Sequence, residues 1–332
     1  ALYHTFNHAL FKGLLFLGAG AVLYRTHERD LDHMGGLIHR MPVTALMFLV
    51  GCVAISALPP FNGFVSEWLT FQTALQAPVL HNGVLRALIP IAAALLALTG
   101  ALAAACFVKV FGIAFLGKPR TRRVAHAREV PAGMLAGMGL LAALCLLLGV
   151  FPTSVIEAMA PITRLLVHDA LPSTLAQGWW WLTPIAPQVA SYSAPFLVIA
   201  IIGAFFIGYV FLKRRAAPWR TGYAWDCGFG RLSHRMQYTS TAFSQPIRRV
   251  FGAVWKVEEQ VETSALPGPL PRAKSIHHQL HVQDWSWLLC YVPIGQLVLA
   301  AAKRVGVIQT GNIHTYLKYS FVTLLIFLWI VS

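Results

Sequence analysis

MPVTALMFLVGCVAISALPPFNGFVSEWLTFQTALQA, residues 41–77, places a Pro-Pro pair and a carboxylate inside one apolar stretch of membrane length. Pro59 and Pro60 remove two backbone donors and push the preceding residue out of the α region, so a helix entering from Pro42 is expected to stop near Leu58. Asn62 and Gly63 then permit a turn and a new helix N-terminus. Irregular backbone at membrane depth survives only where protein buries it or where it lines a watery cavity, and broken helices recur at the ion sites of transporters. This reading sets Glu67 in the first turn of the second half-helix, where the helix dipole and burial act on its proton affinity in opposite senses. A Pro-kinked helix whose Glu67 faces a loop is the bland alternative. An acid inside a membrane segment is functional by default.

The composition points the same way. Of 332 residues, 57% are hydrophobic and 11% charged, against about 25% charged in ordinary soluble domains. That excludes a soluble core and predicts an integral membrane protein. The 26 Lys+Arg against 12 Asp+Glu raise the question of nucleic acid, but basic grooves interleaved with aromatics are absent. The positive charge sits instead in loops beside apolar spans, as in the positive-inside pattern. The chain opens on Ala1 with an apolar helix already under way, without a basic n-region or signal-peptide cleavage pattern, and so is expected to be the C-terminal part of a longer protein. Cys52, Cys106, Cys145, Cys227 and Cys290 have no C-x-x-C or Cys/His ligand spacing, which argues against zinc, iron–sulfur or a disulfide framework within the chain.

Apolar windows near the bilayer length of about 20 residues fall at 2–24, 42–77 (broken), 88–116, 131–150, 195–212 and 316–332. The fold class expected is an all-α polytopic transmembrane bundle with one broken helix. The loops 25–41 and 117–130 and the segment after 212 hold Arg25, Arg29, Arg40, Lys118, Arg120, Arg122, Arg123, Arg128, Lys213, Arg214 and Arg215. The alternate segments 78–87 and 151–194 hold only Arg86 and Arg164. The two sets sort into cytoplasmic and external sides, with residue 1 outside. Trp179, Trp180 and Trp181 suit an interfacial aromatic belt. From 213 to 283 the chain is polar and basic, with Pro246, Pro267, Pro269 and Pro271 and a short amphipathic helix expected around Ser244 to Val261. Two readings fit 285–305, a span or a helix lying along the cytoplasmic face. Lys303, Arg304 and Lys318 favour the second, with the last span ending outside.

Candidate chemistry concentrates in the first helix. His4, His8 and Lys12 are spaced i, i+4, i+8, which sets them within about 80° on one face and over about 12 Å of its length. Histidine titrates near neutrality, and a lysine withdrawn from water can release its proton, so this stripe suits proton relay through water. The bland readings are an interfacial His4, a His8 satisfied by a neighbouring carbonyl and a Lys12 that snorkels. Lys109 is a further candidate, about 10 Å short of the end of its helix at Leu116. Thr44, Ser56, Asn62, Ser66 and Thr70 add polar groups around the break, each able to hold water or to bond back to its own helix. No phosphate loop or nucleophile constellation is present, so no catalytic centre is expected in the chain.

Two stretches, NHALFKGLLFLGAGAV (7–22) and MPVTALMFLVGCVAISALPPFNGFVSEW (41–68), resemble the antiporter-like membrane subunits of respiratory complex I, membrane-bound hydrogenases and Mrp-type antiporters. ACFVKVFGIAFLGKPR (105–120), YAWDCGFGRLSHRMQYTSTAFSQPIRRVF (223–251) and TGNIHTYLKYSFVTLLIFL (310–328) are most similar to the hydrogenase-4/formate hydrogenlyase group. The resemblance implies two inverted helix bundles, each with a broken helix, and a line of charged residues carrying protons at mid-membrane. Lys12 and His8 match the motif of the connecting helix, and Glu67 matches the terminal ionisable residue of the second broken helix. It also implies a C-terminal channel core over 1–150, a loop and additional helix over 151–212, a basic cytoplasmic-face segment with a lateral helix over 213–315, and a terminal span over 316–332. The family's glutamate–lysine pair of the first half-channel is absent. The function implied is proton translocation in a bacterial or archaeal inner membrane, driven by redox chemistry at nickel–iron or iron–sulfur centres of partner subunits, with no cofactor in this chain. The alternative is a component of a stand-alone Mrp-type Na+/H+ antiporter.

Overall fold

The computed structural model describes residues 1–168, 178–183, 191–215, 222, 225–230, 232–252, 256–266 and 272–332. Pro267, Pro269, Pro271 and Tyr223 of the sequence reading lie outside these residues. The chain divides into two units, 1–243 and 244–332.

The first unit is a helix bundle. It contains α1 (Leu2–Thr26), α2 (Pro42–Ile55), α3 (Asn62–Ala74), α4 (Gly83–Phe115), the short α5 (Arg122–Ala125), α6 (Ala132–Val150), α7 (Pro152–Val167), α8 (Ala194–Arg215) and the turn-length α9 (Ser240–Phe243). Six helices among the described residues of the whole chain are long and apolar enough to cross a membrane, and the chain is a polytopic membrane protein. Asn82 starts α4 by accepting from the N–H groups of Val84 at 2.9 Å and Leu85 at 3.2 Å. This cap lies ahead of the apolar window, so α4 begins at Gly83 and not near 88. Its 33 residues span about 50 Å, more than a hydrocarbon core of about 30 Å. The segment 151–194 also differs from the loop expected: Pro152 at the first helical position opens α7, where its missing N–H removes no intrahelical bond.

Small residues set how closely α1, α2 and α6 approach. A Cβ on Gly51 would sit 3.0 Å from the Leu15 side chain, and one on Gly18 would collide with Phe48. With lipid outside as apolar as leucine inside, close packing of this kind supplies much of the attraction between helices. Leu10, Phe11, Leu14, Leu15, Phe48, Phe115, Met138 and Leu148 fill the common core.

One end of this unit collects the basic loops. The Glu129 carboxylate accepts from Val43 N at 2.9 Å and Thr44 N at 3.3 Å, and from the Thr44 hydroxyl. It thereby caps α2 from another loop, a favourable place for negative charge at a helix N-terminus. Arg25 donates to the Glu129 carbonyl at 2.5 Å. Gln237 brackets Lys118, its Oε1 accepting from the backbone N–H and its Nε2 donating to the carbonyl, both at 2.9 Å. Asp32 accepts from Ser240 N at 2.5 Å and the Thr241 hydroxyl at 2.9 Å. The opposite end holds an aromatic cluster in which the tilted rings of Trp179 and Trp180 are 4.4 Å apart and Tyr192 lies against Phe64 and Trp68.

The second unit adds a two-stranded hairpin to the helical class expected. After α10 (Gln245–Val250) come antiparallel strands β1 (Lys256–Leu266) and β2 (Arg272–Gln283), then a π turn (Trp287–Tyr291), α11 (Val292–Gly306) and α12 (Ile313–Val331). The helix expected over Ser244 to Val261 therefore ends at Val250. The reason is a period-two alternation: Val257 pairs with Val282, Glu259 with Leu280, Val261 with His278 and Thr263 with Ile276 on one side, while Glu258 pairs with His281 and Gln260 with Gln279 on the other. The stretch 287–306 is helical throughout and meets the length and hydropathy of a span.

The break between α2 and α3 rests on a second glycine contact. A Cβ on Gly149 would lie 2.6 Å from the Phe61 carbonyl carbon and 2.7 Å from Asn62 N, and closer still to Pro60 O. Gly149→Ala is expected to destabilise the protein by about 1–3 kcal/mol, as overpacking does. The measurement is thermal denaturation in detergent, and an unchanged midpoint would show that the break has room to move.

Candidate functional site

The break is where the sequence features converge. α2 ends at Ile55, three residues before the expected stop, and Ala57 takes a left-handed conformation with φ 51°. The Pro59–Pro60 bond is cis, and Asn62 becomes the first residue of α3. Gly63 allows close approach: a Cβ there would overlap the Ala54 carbonyl. Phe61 precedes α3 without a side-chain cap. Glu67 is the sixth residue of α3 and so lies in its second turn, not the first, because the helix starts at Asn62. The influence of the N-terminal dipole falls off within the first turn.

Polar side chains tie α1 to this break. Asn7 donates from Nδ2 to the Asn62 carbonyl at 3.1 Å, and Asn62 Nδ2 donates back to Asn7 Oδ1 at 3.2 Å. Both residues are fully buried. One helical turn further out, His4 Nδ1 lies 3.0 Å from the Ser66 hydroxyl. That hydroxyl is itself within reach of the Gly63 carbonyl at 3.0 Å and the Asn62 carbonyl at 3.2 Å. The pairs 7/62 and 4/66 give α1 and α3 an antiparallel register. Tyr3 fixes the same end of α1 by donating to the Leu148 carbonyl at 2.6 Å.

The predicted stripe is present. The His4 and His8 rings are 6.0 Å apart, and His8 lies 5.3 Å from the Phe11 ring. His8 is exposed and Lys12 half-buried. Packing of Leu15 and Leu14 on Gly51, and of Gly18 on Phe48, places Lys12 beside the end of α2, at the level of the break. Glu67 lies further out, next to Ser66, with its Oε2 3.7 Å from where a Cβ on Gly100 of α4 would stand. Lys12 therefore does not meet Glu67. Among the described residues neither Lys12, Glu67 nor Lys109 is salt-bridged. Lys109, half-buried on α4, lies about 13 Å along the helix from Gly100.

A cavity of about 410 Å³ opens beside His4 and Ser66, lined also by Tyr3, Thr70 and Thr73 and walled by apolar residues of α4. Thr70 and Thr73 bond back to their own helix at 2.9 Å each. No group of three or more His, Cys, Asp or Glu suited to a metal exists among the described residues. Sequence reasoning missed Asn7, although a buried amide between His4 and His8 is itself a signal, since such a group must find partners. It also missed Gly149, whose role depends on a helix distant in sequence.

Residues 1–106 match the transmembrane family described as NADH:quinone oxidoreductase/Mrp antiporter. Hydrogenase-4 component B of Escherichia coli (strain K12) is 37% identical, over 99% of this chain and 49% of its own length. An Na(+)/H(+) antiporter subunit of Alkalihalophilus pseudofirmus is 31% identical over 65% of this chain and 27% of its own length. A chain of the membrane-bound sulfane sulfur reductase, an archaeal respiratory membrane complex, shares the fold with a TM-score of 0.60 at 21% identity, over 98% of this chain and 47% of that one. The chain thus spans about half the length of the hydrogenase-4 component. The broken helix and the α1 stripe both fall within residues 1–106, the part of the chain that matches the NADH:quinone oxidoreductase/Mrp antiporter transmembrane family.

Proposed function

We propose that this chain carries half of a proton path in an antiporter-like membrane subunit of a redox-driven respiratory or hydrogenase complex. The observation that carries the reading is a line of ionisable side chains, Lys12, His8, His4 and Glu67, held along a broken helix without ion-pair partners. An ionisable group at membrane depth is expensive, and one left unpaired is free to change protonation state. Lys12 at the break hands protons to His8 and His4 through water, and Glu67 receives them beside Ser66. Lys109 connects the bundle to water at the basic end. Electron transfer is assigned to nickel–iron or iron–sulfur centres in partner subunits, a reading that the likeness to a hydrogenase component supports. A role in a hydrogenase-type complex is preferred to a stand-alone Na+/H+ antiporter because the hydrogenase-4 match extends over 99% of the chain and the antiporter match over 65%. The amphipathic α11 is assigned to the cytoplasmic face as a lateral helix.

Lys12→Met keeps the stem and removes titration. In vesicles containing the whole complex it is expected to leave assembly intact and to abolish coupled proton movement; a normal proton-to-electron ratio would sink the relay.

Glu67→Gln keeps shape and hydrogen bonding but cannot release a proton, whereas Glu67→Asp keeps the proton with a shorter reach. The first is expected to stop pumping in an assembled complex and the second to retain part of it. Equal ratios for wild type and Glu67→Gln would mean that the path runs elsewhere.

The basic loops are assigned to the cytoplasm. Cysteines introduced at 120–128 should resist an impermeant reagent added outside, while cysteines at the exposed positions 178–181 react, and the opposite pattern would invert the topology.

A further inference from the structure

We propose that Ser66 is a positioning residue that holds His4 in one orientation and one tautomer, so that His4 exchanges its proton only at Nε2. The inference rests on the proton-path reading and adds the atom at which exchange occurs.

Donors and acceptors around the Ser66 hydroxyl fix the tautomer. His4 Nδ1 stands 3.0 Å from Ser66 Oγ. The Ser66 hydroxyl has a single hydrogen and two carbonyls of its own helix within reach, Gly63 O at 3.0 Å and Asn62 O at 3.2 Å. With its hydrogen on either carbonyl, Oγ is left to accept, and Nδ1 must donate. The neutral ring then carries its hydrogen on Nδ1 and its lone pair on Nε2. Uptake of a proton at Nε2 gives the imidazolium, with hydrogens on both nitrogens, and release from Nε2 restores the starting tautomer. Neither event requires the Ser66 hydroxyl to turn. A pair of carbonyl acceptors makes the arrangement tolerant, because the hydroxyl hydrogen is placed in either rotamer.

The surroundings reinforce this. Ser66 is 2% exposed, so its hydroxyl is held within the packed end of the bundle. The Asn7–Asn62 amide pair, a turn further in, fixes the distance between the two helices. The groups that reach His4 are His8 and the Ala1 amine on its own helix, with Tyr3 adjacent; on α3 the Glu67 carboxylate lies instead by Gly100 of α4, and α4 offers only apolar residues from Ile89 to Leu96 to the shared cavity. Ser66 is thus the hydrogen-bond partner of the His4 ring among the described residues.

The test uses the assembled complex in vesicles and reads the pH dependence of proton-coupled turnover, together with an infrared difference titration in which His4→Gln isolates the His4 band. Loss of the Ser66 acceptor disfavours the imidazolium, so Ser66→Ala is expected to move the midpoint down by about one pH unit, the tenfold effect of one charge-assisted hydrogen bond. Ser66→Thr restores the wild-type midpoint, and Ser66→Ala adds no shift in a His4→Gln background, as a cycle of two coupled residues requires. An unchanged midpoint in Ser66→Ala, a Ser66→Thr variant that behaves like Ala, or additive shifts in the double variant would each overturn the proposal. The infrared titration keeps it separate from the functional reading: a Lys12→Met complex that still pumps would overturn the relay, while the His4 band would still report whether Ser66 governs its protonation.

Discussion

A helix interrupted inside an apolar bundle leaves backbone groups that water cannot satisfy, and the rest of the first unit is arranged around that deficit. Pro59 and Pro60 contribute no N–H at all, and the turn between α2 and α3 closes through weak bonds of 3.2 Å from Ala57 to Ala54 and from Phe61 to Leu58. Asn7 then reaches from α1 to the Asn62 carbonyl, and the Asn62 amide answers it. Because unsatisfied buried polar groups cost about 1–3 kcal/mol each, this reciprocal pair fixes the depth of α1 relative to the break. The depth of α1 in turn decides where Lys12, His8 and His4 lie. Gly149 and Gly63 belong to the same constraint, since the backbone at the break is packed on both sides without room for a methyl group.

The basic loops have a structural role as well as a topological one. Arg25 donates to the Glu129 carbonyl, Arg120 to the carbonyls of Met34 and Tyr238, and the Lys118 ammonium to the carbonyl of Leu232. Cations that anchor one membrane side also close the carbonyls of irregular loops. The segment 236–241 is held on these loops by Gln237 and by the Asp32 carboxylate. The chain after α8 is thereby joined to the loops that follow α1 and α4.

Much of this was legible in the residues. The double proline announced a break, and the i, i+4 spacing announced a polar face, because both depend on local geometry alone. Helix lengths read from hydropathy erred where a polar cap or a proline began the helix outside the apolar window, as Asn82 and Pro152 do. The hairpin escaped because Glu, Gln and His fill one side of it, and a polar two-residue period carries little hydropathy contrast. Asn7 escaped for another reason: attention to titratable groups passes over an amide, whose importance lies in what it bonds after folding. The level of Glu67 relative to Lys12 depends on the register of two helices, which no spacing within either one encodes.

That register changes the electrostatic argument. A lysine and a glutamate locked together in a low-dielectric interior stabilise each other's charged forms and resist titration. Here Lys12 stands at the break and Glu67 beyond it, with two imidazoles between them along α1 and a hydroxyl bridging to α3. Separation by about two helical turns keeps the lysine and the glutamate from forming a contact pair. Coulomb energy falls as the inverse of distance, so a lysine and a glutamate held apart in this way are coupled more weakly than a contact pair. The relay proposed above requires that no such contact pair form. The reciprocal asparagine pair, by holding α1 at this depth, is what keeps the ionisable residues in sequence and out of contact.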